Sequence, residues 1–221
     1  MEERYVRNIG ALTEAECRRL MDKKVFVAGC GGLGGNIIHM LLRIGVGSIA
    51  AADGDVFELS NLNRQLFSSM DVIGVSKAQA ARAYAARVNP EVSFTAHDEF
   101  IGKDNVSAMI EGCGAVIDAL DNIPSRRLLK AECDRQGIPY IYGAISGWTA
   151  QAAVSLPGDG LLDILYPEGA AVTGNSSLSF TPALCAALQC SLCVRLLCGK
   201  DVECGKLYCF DLQEMEFEKL F

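Results

Sequence analysis

Histidine is scarce in this 221-residue chain, which holds two, and tryptophan occurs once. His39 falls on the first crossover helix and His97 at a strand end, outside every motif described below, so imidazole acid–base catalysis is not expected. No excess of basic charge is present either. The 20 Lys and Arg stand against 27 Asp and Glu, a net charge of −7, so there is no broad phosphate-neutralising face and nucleic acid is a poor default partner. No apolar run approaches the roughly 18 residues of a membrane span. The start, MEERYVRNIG, is charged and lacks an apolar core, which predicts a cytoplasmic protein. Repeats, low-complexity tracts and separating linkers are also missing, so a single domain over residues 1–221 is expected.

Half of the residues are apolar and 21% are charged, enough to bury a sizeable core. Ten cysteines are present; in a cytosolic chain of this length they read as reduced, buried thiols rather than disulfides. Thr13 and Glu16 form a capping box that opens a helix over Glu14–Asp22, within an N-terminal arm of residues 1–23. KVFVAG then reads as a buried strand, followed by a glycine cluster, a helix through Ile37, Ile38, Leu41 and Leu42, and a second buried strand, SIAAAD. This βαβ unit continues in kind. A helix over Lys77–Val88, the strand VSFTAH, a short helix near Asn105–Ile110, the strand AVIDAL, a helix over Ser125–Arg135 and the strand PYIYGA complete residues 24–147. Strands alternating with helices predict a Rossmann-like, doubly wound α/β fold with a mostly parallel sheet.

Residues 148–221 differ in texture and predict a C-terminal antiparallel extension. Trp148–Leu156 reads as a strand at the solvent edge, and Leu161–Phe180 as a long loop rich in Gly, Pro, Asn and Ser. Thr181-Pro182 opens an apolar helix to Leu197 with Pro at its first position, and the strands KLYCFDL and MEFEKL close the chain.

The glycines Gly29, Gly31, Gly32 and Gly34 satisfy G-x-G-x-x-G, a spacing that brings backbone amides at a helix N-terminus close to phosphate. Asp53 ends the second strand, where a carboxylate accepts hydrogen bonds from ribose hydroxyls. These features alone fit a nicotinamide dinucleotide as well. What separates the readings is Arg64, Lys77 and Asp121 converging on strand C-termini: two cations can neutralise a triphosphate attacked at its α-phosphorus, and a carboxylate can hold Mg²⁺.

GCGGLGG, DGDVFELSNLNRQ, the Gly74-Val75-Ser76-Lys77 helix start and DALDN with Arg126 together resemble the ThiF/MoeB/HesA family, bacterial relatives of ubiquitin-activating enzymes. The resemblance implies a homodimeric adenylyltransferase that binds ATP and Mg²⁺. It would activate the Gly-Gly carboxylate of a small ubiquitin-like, β-grasp sulfur carrier, with a separate protein donating sulfur. It also implies roles by position. Asp53 would bind ribose; Ser60, Asn61, Asn63, Arg64, Gln65 and Lys77 would bind phosphates; and Asp121 would hold Mg²⁺ beside Asn122. Arg7 would reach into the partner protomer's ATP site, though the glutamine usual after it is Asn8 here. Family relatives activating a threonylcarbamoyl adenosine carboxylate on tRNA are the nearest alternative, and the acidic composition speaks against them.

Two departures narrow the chemistry. The family's structural zinc uses two Cys-x-x-Cys pairs, whereas this chain has one, Cys190 and Cys193, inside an apolar helix, so no zinc is expected. Leu161–Phe180 contains no cysteine to accept the activated carrier, so the reaction should stop at the adenylate. Cys185, just past the loop, reads as a core thiol without a neighbouring base.

Overall fold

In a computed structural model the chain is described over residues 2–170 and 176–221. Residues 171–175, part of the expected Leu161–Phe180 loop, lie outside the described residues. The apolar runs become β1 (Lys24–Ala28), β2 (Ser48–Ala52) and β4 (Ala115–Asp118), joined on one edge by β3 (Ser93–His97). Parallel pairing in the order β3-β2-β1-β4-β5 puts β1, β2 and β4 in the sheet interior, with helices on both faces. That is why these strands carry continuous apolar runs rather than alternation. Beyond β5 (Tyr140–Ser146) the direction reverses, and β6 (Thr149–Ser155), β7 (Leu207–Asp211) and β8 (Glu216–Leu220) extend the same sheet in antiparallel fashion to eight strands.

The helices follow their predicted starts closely. α1 (Glu14–Met21) is capped by Thr13, whose side chain accepts from the Glu16 amide while the Glu16 carboxylate accepts from Thr13. α2 (Gly32–Ile44), α3 (Lys77–Val88) and α7 (Phe180–Leu197) cover one face of the sheet. α4 (Val106–Ile110), α5 (Ile123–Gln136) and α6 (Leu161–Leu165) cover the other.

Four expectations need correcting. β6 is not a solvent edge: it pairs with β5 along all its residues and with β7 along most, and the exposed edge is β8. The sequence of β6 fits burial, with Ala150, Ala152, Ala153 and Val154 wholly covered, but its second neighbour lies some fifty residues downstream and leaves no local trace. Leu161–Phe180 is not all loop, because Leu161 and Leu162 anchor the single turn and a half of α6 in the second core. α7 starts at Phe180, so Pro182 sits third in the helix, still within the first turn where its missing N–H costs no bond. Finally, α7 is long and apolar enough to cross a membrane by length and composition. Its apolar residues are spent differently here: Cys185, Ala186, Cys190, Cys193 and Leu197 pack into the core of the first face.

Candidate active site

The order of the strands reverses between β1 and β4, and in an open α/β sheet the crevice outside the strand C-termini at that point is where ligands bind. A cleft of about 370 Å³ occupies it. Its floor is the glycine turn. Gly29 has φ +105°, and a Cβ there would stand 2.8 Å from the Ala119 carbonyl, so only glycine lets β1 pass this close to the loop after β4. Gly31 is the N-cap of α2 and supplies no side-chain acceptor, so the first amides of the helix have no capping partner and Gly31 and Gly32 line the cleft. Gly34 serves packing instead: a Cβ on it would run into the Gly29 carbonyl.

Asp53 follows β2 and is tied from both sides. Its Oδ2 accepts from the Cys30 amide at 2.7 Å and its Oδ1 from the Asp55 amide at 2.9 Å. Burial pushes its pKa above the ordinary aspartate range, opposed by these two amides. Lys77, the first residue of α3, is buried and its Nζ lies 3.0 Å from Asp55 Oδ2. Arg64 enters from the far wall with its guanidinium on the Ser60 carbonyl (3.0 Å) and Asn63 Oδ1 (2.9 Å). Beside it, Gln65 is buried with its Oε1 unpartnered, against the glycine turn near Gly31. A buried acceptor left without a donor is costly.

Asp121 and Asn122 form the rim after β4 and both are exposed. Asn122 caps α5, its Oδ1 accepting from the Ser125 amide at 2.9 Å, and its Nδ2 donates to Asp121 Oδ1 at 3.2 Å. Glu99, Phe100 and Ile101 close the opposite end over Gly54.

Gly29, Gly31, Gly32, Asp53, Arg64, Gln65, Lys77, Asp121 and Asn122 therefore line one cleft. The other predicted residues lie elsewhere. Ser60 and Asn63 face an adjoining depression with Trp148 and Ser177, and Asn63 Nδ2 donates to the Ser177 carbonyl at 3.1 Å. Asn61 turns inward and accepts from the Glu58 amide at 3.0 Å, closing its own turn. Arg7 is exposed on a 3-10 turn (Glu3–Asn8) and does not line the cleft of its own chain.

Sequence reasoning missed the layer beneath the rim. Asp118 and Arg126 form a buried ion pair there, with the Tyr140 hydroxyl donating to Asp118 Oδ2 at 2.5 Å. Burial raises the pKa of the Asp118 carboxyl, against the Arg126 charge and the Tyr140 hydroxyl. For Arg126, burial disfavours the charge, but the Asp118 carboxylate outweighs it and holds the guanidinium protonated. The available signal was an aspartate ending the apolar run AVID, and Arg126, quoted in the motif without a role.

Eight of the ten cysteines are buried, and Cys204 and Cys209 are half-buried. Cys185 is fully buried, its Sγ donating to the Gln151 carbonyl at 3.2 Å, and burial pushes its pKa up to about 12. Cys190 and Cys193 are buried within α7, and among the described residues no three His, Cys, Asp or Glu side chains cluster as a metal site.

The chain is similar to known proteins over most of its length. The ThiF family model matches residues 5–220. The SAMP-activating enzyme E1 of Haloferax volcanii is 35% identical over 210 residues, 90% of this chain and 77% of that protein. The sulfur carrier protein ThiS adenylyltransferase of Bacillus subtilis is 32% identical over 206 residues, 90% of this chain and 61% of that protein. Among solved structures, E. coli MccB with MccA-N7isoASN superposes on all of this chain and 71% of that one, with a TM-score of 0.88 at 20% identity, a likeness of fold. With a matching model over nearly the whole chain and the motif residues gathered at the sheet's switch point, this protein belongs to the ThiF family.

Proposed function

We propose that this protein uses ATP to adenylate the C-terminal Gly-Gly carboxylate of a small ubiquitin-like sulfur carrier. The observation that carries this reading is the gathering of Asp53, Arg64, Gln65, Lys77 and Asp121 around the uncapped start of α2. The similarity to the Haloferax volcanii and Bacillus subtilis enzymes supports the reaction class and the kind of acceptor.

The chain's own groups suit that reaction. The α2 amides and the Gln65 Nε2 group would donate to phosphate oxygens, and Asp53, already fixed by two amides, would take the ribose through its remaining lone pairs. A carrier carboxylate oxygen bonds to the α-phosphorus, the bond from that phosphorus to the bridging oxygen breaks, and pyrophosphate leaves with the electron pair. The acceptor is already an anion, so no base is required, in keeping with two histidines outside the cleft. Lys77 would leave Asp55 for the triphosphate, and Arg64 would offset charge growing on the leaving group.

Asp121 and Asn122 suit Mg²⁺. They offer one carboxylate and one amide at an open rim, and a hard cation that keeps waters and binds substrate phosphates needs little more from protein. Bound there, Mg²⁺ would neutralise phosphate charge. Arg7, remote from its own cleft, would complete the partner's site in a homodimer, and a cytoplasmic location with a separate sulfur donor completes the proposal.

The test is exchange of labelled pyrophosphate into ATP, which runs because the acyl adenylate is a high-energy anhydride. Carrier-dependent exchange is expected. Lys77→Ala, Arg64→Ala and Asp121→Ala should each slow it by about 10²-fold or more, and Cys185→Ser should leave it intact. Absence of exchange across a range of Gly-Gly-ended carriers overturns the proposal, as does wild-type exchange in both Lys77→Ala and Asp121→Ala.

A further inference from the structure

The loop that carries Asp121 and Asn122 is only a few residues long and exposed, yet it is held from below at both ends. Leu120 immediately precedes Asp121. Its amide donates to Asp118 Oδ1 at 2.9 Å, and its carbonyl accepts from the Arg126 guanidinium. Both polar backbone groups of Leu120 thus end on the two members of one ion pair. On the other side, Asn122 caps α5, and its carbonyl accepts from the Arg126 amide at 3.2 Å.

The pair is itself anchored to two further elements, β5 and α7. The Arg126 guanidinium donates to the Gly143 carbonyl in β5 at 2.8 Å and lies 5.2 Å from the centroid of the Tyr142 ring. The Tyr140 hydroxyl holds Asp118 Oδ2, and Gln189 from α7 donates to the Asp118 carbonyl at 2.7 Å and to that of Ile141 at 3.2 Å. Gly143 makes room for this, since any Cβ there would overlap the Gln189 amide. Asp118 and Gln189 are fully buried, and Arg126 is 4% exposed.

A buried ion pair is a poor source of net stability, because desolvation offsets its attraction and apolar residues of similar volume often do as well. This one instead spends two of its side-chain bonds on the backbone of Leu120, at the foot of the rim loop. We propose that Arg126, acting with Asp118, is the positioning residue for Asp121: the pair holds the loop so that the carboxylate faces the metal-bearing phosphates of the nucleotide. This inference rests on the nucleotide reading of the cleft.

Arg126→Lys tests it. Lysine keeps the charge that Asp118 requires but cannot bridge Asp118, Leu120 and Gly143 with a single ammonium. ATP binding is titrated by calorimetry at a series of Mg²⁺ concentrations, with no carrier present, alongside Tm and exchange kinetics. A folded variant is expected whose Mg²⁺ requirement for ATP binding rises about tenfold, within the range for partners of metal ligands, towards that of Asp121→Ala. ATP binding without Mg²⁺ should be unchanged, and at saturating Mg²⁺ the exchange kcat should fall by about 10- to 100-fold with KM for ATP little altered.

A lower Tm with a wild-type Mg²⁺ curve and wild-type kcat overturns the inference, leaving Arg126 a purely structural residue. A wild-type protein that binds no ATP overturns the nucleotide reading instead. Should the lysine variant not fold, Asp118→Asn with Arg126→Gln removes both charges together and carries the same test. Failure of both variants to fold also overturns it, because the pair would then hold the fold rather than the loop.

Discussion

Asp53 shows how much a single carboxylate can organise. Each of its oxygens accepts from one backbone amide, Cys30 in the glycine turn and Asp55 in the following loop, so the ionised group joins the two strand ends that frame the cleft. Protonation would set an O–H against one of those N–H donors and release it. Because burial holds its pKa above the ordinary aspartate range, that release begins at a higher pH than for an exposed aspartate. The ionised form is the competent one, so ATP affinity should be full well above this pKa and be lost as pH falls through it. Asp53→Asn should reproduce the acid state at neutral pH, because an amide nitrogen would face an N–H, and should weaken ATP by about tenfold or more, the cost of one unmade buried hydrogen bond. Calorimetric titration of ATP from pH 8 to pH 5 checks both, and a flat profile in the wild type would contradict the assignment.

Among the elements, α2 bears most directly on function. It begins without a side-chain cap, and Gly34 lets its first turn settle onto the Gly29 carbonyl. Gly34→Ala would force backbone against backbone, which cannot relax as a flexible side chain could. The first turn of α2 should lift from β1, costing about 2–4 kcal/mol by analogy with overpacked and strained sites. ATP binding should disappear even where the fold survives. A variant with wild-type Tm and ATP affinity would show that the turn tolerates the extra carbon. Gly31→Ala is the useful contrast, because its Cβ would meet only the Gln65 side chain at 3.6 Å, an ordinary contact. Its defect should therefore lie in nucleotide binding and not in Tm.

For the whole molecule, the telling residue is Arg7. It sits exposed on its 3-10 turn and outside its own cleft, while Tyr5 beside it is buried against Gly45 and hydrogen-bonded to Asn89. The turn is therefore well anchored, and in the proposed homodimer its arginine would act on the partner's cleft. Arg7→Ala and Lys77→Ala should each be nearly inactive alone. Mixed and reassembled as dimers, they should regain about a quarter of wild-type exchange, since half the dimers are mixed and each mixed dimer has one intact site. No recovery on mixing, with dimers shown by sedimentation, would place Arg7 in its own subunit's site or outside any site.

Much of this was legible in local sequence. Apolar runs of strand length, the glycine spacing and the Thr13 capping box depend on neighbours a few residues apart, and β1, β2, β4 and α1–α3 appear close to where those signals put them. Asp53, Lys77 and Asp121 were also readable, because each stands just past a strand or at the start of a helix and parallel topology brings such ends together, whereas Arg64 and Gln65 lie on the segment between β2 and α3 and were readable only from the motif. Chain direction and hydrophobic period, local properties both, determined the α/β class and the crevice. Tertiary structure alone decided the rest. Whether β6 lies inside or at the edge depends on β7, and whether Asn61 meets a ligand or its own turn depends on the path of one short segment. The joining of Asp118, Arg126, Tyr140 and Gln189 into one buried network depends on two strands and two helices meeting below the rim. Such contacts couple residues up to 71 positions apart, and no spacing rule within a single element can encode them.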